Sequence, residues 1–154
     1  MERSPYFSAA RAIFRVVQGV PNVVLDTNVF DKTADGFMDN SRISSSAGAS
    51  AGYIGTATNA FLTNYIRIDK GMYLNMDVPG TQTQVSSAVG GYMLSYDENK
   101  NLIGTYTSLS GTVSNHKWKY QVNVDGVKYI RLAPYKTANS GITVDNCNIV
   151  VTTS

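Results

Sequence analysis

The chain reads as an all-β protein, an antiparallel β-sandwich of jelly-roll type over residues 23–154 with a short N-terminal arm or helix at residues 1–22. Three observations predict it. Between 117 and 124, Trp118, Tyr120, Val122 and Val124 alternate with Lys117, Lys119, Gln121 and Asn123, the period of a strand with one buried face. Tyr92, Leu94 and Tyr96 alternate with Met93 and Ser95, and a polar cluster from Asp97 to Asn101 then turns the chain into Leu102 and Ile103. The composition agrees, because charged residues are only 16% and Tyr, Thr, Ser, Val, Asn and Gly favour strands and turns over helices.

Taken in order, Phe7, Ala10, Ile13, Phe14 and Val17 recur at three and four, which suits an amphipathic helix, while 13–17 also suits an extended arm. Gly19 and Pro21 end the segment either way. Val23, Val24 and Leu25 form a short apolar run, and residues 28–37 lead into the sandwich. Residues 41–55, with their Ser, Ala and Gly, have no period and read as a surface loop, or as a small-residue contact between subunits. Strands are expected at 61–68 and 72–78 around Asp69-Lys70-Gly71, the second stopped by Pro79-Gly80. A polar connection follows at 81–87, and 104–114 suits an exposed strand or a loop. Asp125-Gly126 looks like a two-residue hairpin turn, but that register would put Ile130 and Leu132 on the face of Lys119 and Gln121. A bulged turn or a crossing to the opposite sheet resolves the conflict. Residues 142–151 form the last strand.

At 154 residues one core suffices without staples. The net charge of +2, with Lys and Arg scattered, gives no positive field for nucleic acid. Cys147 is the single cysteine and His116 the single histidine, so there is no internal disulfide and no zinc spacing. Cys147 reads as a small buried hydrophobe. No window has the apolar length of a membrane span, and Arg11 and Arg15 interrupt any signal-peptide core.

Four phrases carry a family resemblance: GYMLSYDENKNLIG at 91–104, GVKYIRLAPY at 126–135, NVFDKTADGFMDN at 28–40 and NYIRIDKGMYLNM at 64–76. Together they resemble the β-sandwich module of bacteriophage tail-fibre, baseplate and capsid-surface attachment proteins, over residues 26–151. The resemblance implies a virion location, a homo-oligomer such as a trimer, and contacts with other virion proteins through residues 1–22.

The chemistry-bearing residues do not compose an enzyme. Asp97, Asn99 and Asn101 begin like a calcium loop, but the positions for the obligatory Gly and Glu hold Leu102 and Ser108, so a solvated turn is expected and no metal site. Asp69, Asp77, Asp97, Glu98, Asp125 and Asp145 stand in turn-like contexts rather than as an acid pair. No nucleophile elbow, phosphate loop or triad partner for His116 is present, and no cofactor is implied. A sugar site needs an aromatic face and nearby hydrogen-bonding groups. Tyr106 and Tyr135, flanked by Thr, Lys and Pro, are the expected exposed rings, with Asn115, Lys136 and Asn139 to assist. The expected function is therefore a non-enzymatic virion structural protein that engages host surface polysaccharide. The alternatives are a stand-alone carbohydrate-binding module, a purely structural capsid decoration protein, or a small glycan hydrolase or lyase.

Overall fold

The computed structural model describes residues 20–45 and 53–154; the expected arm or helix lies almost wholly outside them. The described chain is all-β with antiparallel pairing throughout. Its strands are β1 (Met38–Ile43), β2 (Ile54–Leu62), β3 (Ile66–Arg67), β4 (Tyr73–Asp77), β5 (Tyr92–Tyr96), β6 (Leu102–Ser108), β7 (Lys117–Gln121), β8 (Tyr129–Arg131) and β9 (Ile149–Thr152), with one helical turn, α1 (Val85–Ala88), before β5. They form a three-stranded sheet in the order β7-β4-β9, a four-stranded sheet in the order β3-β8-β5-β6, and the β1-β2 pair.

The strict alternation at 117–124 places β7, which ends at Gln121, three residues sooner than expected. Trp118 and Tyr120 face inward, paired with Met76 and Leu74 of β4, and their rings stack 5.5 Å apart at 17°. Ile149 and Val151 join them from the other side of β4. From the four-stranded sheet, Ile66, Met93 and Ile130 enter the same buried cluster, so the two sheets share one core. Burying a side chain of the size of Trp118, 2% exposed, contributes about 3 kcal/mol. The chain passes from β7 to β8, and from β3 to β4, by changing sheet. The Asp125-Gly126 register conflict does not arise, because β8 pairs in the other sheet, and Val127 and Ile130 still join the buried cluster of Trp118.

Several expectations need correction. The stretch at 41–55 is not one surface loop. Ser41 to Ile43 complete β1, and Arg42 and Ile43 pair with Gly55 and Ile54 of β2; the small-residue centre at 46–52 lies outside the described residues. The strand expected at 61–68 is interrupted because Asn64 turns its side chain onto the backbone. Its Nδ2 donates to Val29 O and its Oδ1 accepts from Asp31 N, 3.2 and 3.0 Å away. The last strand is shorter than expected: Thr143 and Asn146 close a turn by reciprocal side-chain bonds before β9 begins. Within 104–114, β6 continues to Ser108. The 81–87 connection carries the start of α1.

The 97–101 cluster forms the turn expected of it. Asp97 Oδ1 accepts from Asn99 N and Asn101 N at 2.9 and 3.0 Å, with Lys100 in the left-handed region. Cys147 is buried, and burial together with the Asp77 charge pushes its thiol up to about 12, so it packs as a hydrophobe.

Candidate functional site

The segment 80–84 is fixed on both flanks. On one side Gly80 N donates to Ser140 O at 3.0 Å and Gln82 N to Asn139 O at 2.8 Å. On the other, Val113 N donates to Thr83 O at 2.8 Å, and Gln84 bridges Thr112. The approach to residues 139–141 is so close that a Cβ at Gly80 would collide with the carbonyl of Asn139. Gly141, at φ +69°, meets the Gly80 backbone from the other side. Ser140, fully buried, holds that loop by donating from Oγ to Tyr135 O and Thr137 O at 2.6 and 3.0 Å.

Above this support lies a cleft of about 250 Å³, lined by Gly80, Thr81, Gln82, Thr83, Val113, Asn115 and His116. Its outer wall is the turn into β7. Ser114 and Lys117 exchange both backbone hydrogen bonds, at 2.9 and 3.0 Å, leaving Asn115 and His116 as the two central residues of a tight hairpin. Both have positive φ, +51° and +61°, the geometry of a type I′ turn, whose usual sequence is Asn-Gly. His in the second place is strained backbone at the edge of a cleft, and such strain gathers where function holds it. The ring is fixed as well: Nδ1 lies 3.2 Å from Val78 O and 3.0 Å from Gly80 O.

The cleft contains no acidic or basic side chain apart from the imidazole, and offers two hydroxyls and two amides. That is a surface for hydrogen bonding a neutral polar ligand. Two other depressions differ. One of about 280 Å³ is lined mainly by Val24, Val29, Tyr65 and Ile66. Another of about 310 Å³ has Lys32 and Asp145 on its rim, already paired at 2.7 Å.

The expected site residues scatter. Asn115 lines the cleft, and Asn139 supports it through its carbonyl. Tyr135, half-buried, starts the loop that Ser140 holds, and its amide donates to Ala88 O at 3.0 Å. Lys136 is turned to the β1-β2 pair, where Nζ reaches Asp39 Oδ1 at 2.7 Å and Asn40 Oδ1 at 3.0 Å. Tyr106 lies on the outer face of the four-stranded sheet, half-buried edge-on between Tyr92 and Tyr53, with centroids 4.7 and 5.8 Å away. Sequence reasoning missed His116, Thr81, Gln82 and Thr83. The one available signal was an Asn placed just before the cleanest strand of the chain.

Several carboxylates are paired with cations away from the cleft. The Lys117 ammonium and the Asn148 amide hold Asp77 below the usual aspartate range against its partial burial. Burial would raise Asp69, but Arg67 and Lys128 outweigh it and lower it. Lys136 lowers Asp39, and Lys70 lowers Asp125. Among the described residues no group of three or more His, Cys, Asp or Glu is placed to hold a metal ion. No described helix is long and apolar enough to cross a membrane. The chain matches no protein-family model, no curated protein and no solved structure.

Proposed function

We propose that the chain is a non-enzymatic structural and attachment protein of a bacteriophage virion, a fibre, baseplate or capsid-surface component. Its two large sheets form a sandwich of jelly-roll type that engages a host surface polysaccharide through the 80–83/113–116 cleft. The observation that carries the binding reading is the Asn115-His116 turn, two adjacent non-glycine residues held left-handed on the wall of a neutral polar cleft. The four phrases that resemble the phage module fall largely on β5, β6, β8, β3 and β4. They support the architecture, and the cleft, which lies outside them, supports recognition.

The state of the carboxylates favours binding over hydrolysis. Glycoside cleavage needs one carboxyl group held protonated beside another. Asp39, Asp69, Asp77 and Asp125 are all shifted the opposite way by cationic partners. Assembly through residues 1–22 into a homotrimer belongs to the same reading. A protein that stays monomeric at micromolar concentration, and whose 1–22 deletion still enters particles, would remove that part.

The direct test is binding of the labelled protein to a panel of bacterial cell-wall and capsular polysaccharides, repeated with Asn115→Ala. Saturable binding to one glycan class, weakened about tenfold by loss of the amide, is the expected result. Binding that Asn115→Ala leaves intact while Tyr106→Ala abolishes it would move the site to the tyrosine face. No binding to any glycan would leave a decoration role.

A further inference from the structure

We infer that the cleft takes an uncharged sugar, and that Nε2 of His116 accepts a hydrogen bond from one of its hydroxyls; this deepens, and rests on, the glycan-binding reading. Nδ1 faces two carbonyl oxygens, of Val78 and Gly80, and carbonyl oxygens only accept. Nδ1 therefore carries the hydrogen, and in the neutral ring the lone pair sits on Nε2. Among the described residues Nε2 has no hydrogen-bond partner, although His116 is exposed and lines the cleft.

The neighbouring groups decide what suits that lone pair. The anionic oxygens of a phosphate, sulfate or carboxylate only accept, and the lining has no Lys or Arg to offset the charge that such a group would bring into the cleft. Lys117, beside the turn, is paired with Asp77 at 2.7 Å. A sugar hydroxyl can donate to Nε2 while accepting from the amides of Gln82 or Asn115, and Thr81 and Thr83 can serve its neighbours. Holding the turn does not account for the histidine, since glycine would take φ +61° without strain.

Because His116 is the only histidine, its two ring nitrogens can be followed singly by nitrogen NMR on the full chain with isotope-labelled histidine. The expected spectrum is that of the Nδ1–H tautomer, with the Nε2 resonance moved by glucose, galactose or N-acetylglucosamine and left in place by glucuronate and inorganic phosphate. His116→Gly, which relieves the left-handed backbone but gives up the Nδ1 hydrogen bonds to Val78 O and Gly80 O, is expected to keep the folded circular-dichroism spectrum and to lose about tenfold in affinity for the neutral sugar. The Nε2–H tautomer, a larger shift with glucuronate or phosphate, or undiminished sugar affinity in His116→Gly overturns the inference. Saturable glycan binding with Nε2 unmoved overturns it and leaves the glycan reading standing. Absence of binding to every glycan removes both.

Discussion

On the three-stranded sheet, the residues that alternate with Leu74, Met76, Trp118, Ile149 and Val151 are Asn75, Asp77, Lys117, Lys119, Val150 and Thr152, and they face outward. There Lys119 lies over the Tyr73 ring at 4.8 Å, and Asn75 Nδ2 donates to Thr152 Oγ1 at 2.9 Å. The outward face of the four-stranded sheet is instead covered. Tyr129 and Arg131 of β8 and Leu94 and Tyr96 of β5 are buried there, within a second cluster that includes Ile43, Leu62 and a ring of half-buried tyrosines. The β1-β2 pair supplies part of that cover. The difference teaches where alternation can be trusted: a strand with one wet face displays its period, and a strand covered on both faces hides it.

The covered face is also where a charge has been buried. Arg131 is 5% exposed, and its partners are neutral: Nε donates to Thr63 O at 3.3 Å, Nη1 to Tyr96 Oη at 3.3 Å, and Nη2 to Gly36 O. Its guanidinium stands 4.6 Å from the Tyr65 ring centroid, and the Lys100 ammonium lies 4.9 Å from the same centroid. Arg presents five donors in a planar fork and is weakly hydrated, which suits a site that satisfies it with carbonyls, phenols and ring faces.

The sharpest way to break this contrast is to remove the buried cation. Arg131→Ala strands the Thr63 and Gly36 carbonyls and should cost about 3 kcal/mol in urea unfolding, whereas Lys119→Ala on the wet face should stay within ~0.5 kcal/mol. Equal costs at the two positions would mean that the outer cluster is only a loose coat. A smaller effect is expected at Gly36. Its φ is +96°, and an added Cβ would lie 2.6 Å from the Tyr65 ring, so Gly36→Ala should cost about 2 kcal/mol and alter the tyrosine near-ultraviolet signal.

The smallest effect belongs to the wet sheet. Asp77 is lowered in the folded protein chiefly by Lys117, so its contribution is present above the ordinary aspartate value near ~4 and is lost as pH falls through the lower folded value. Lys117→Ala should flatten that acid limb of the pH–stability curve. At neutral pH it should cost under ~1 kcal/mol, because the Lys117 side chain is 69% exposed. An unchanged acid limb would show that the pair contributes nothing.

Particular residues show how much was legible in advance. Trp118 and Tyr120 declared their face because Lys117, Lys119 and Gln121 stand in water between them. Tyr92, Leu94 and Tyr96 declared a strand but not its setting. Ser95, polar by pattern, is 1% exposed and shares its face with Met93, while Tyr96 packs under the second cluster. The β1-β2 pair was hidden by small residues, whose pairing is fixed by long-range contacts and leaves no local period. The cleft was half legible: an Asn before a clean strand marks a turn, but the meeting of 80–83 with 113–116 depends on backbone pairing that no local pattern encodes. Tyr106 was expected in water for its Thr neighbours, and the rings of Tyr53 and Tyr92, distant in sequence, cover it instead.

The stacking of Trp118 on Tyr120 also has an optical consequence. Trp118 is the sole indole in the chain and belongs to the core shared by the two sheets, while the covered outer face holds tyrosines alone. Emission excited at the red edge of the spectrum therefore comes from the shared core. Tyrosine absorbance, weighted toward the outer cluster, follows the other layer. The two layers carry separate chromophores, and whether they come apart together or in sequence can be watched in a single sample without attaching a dye.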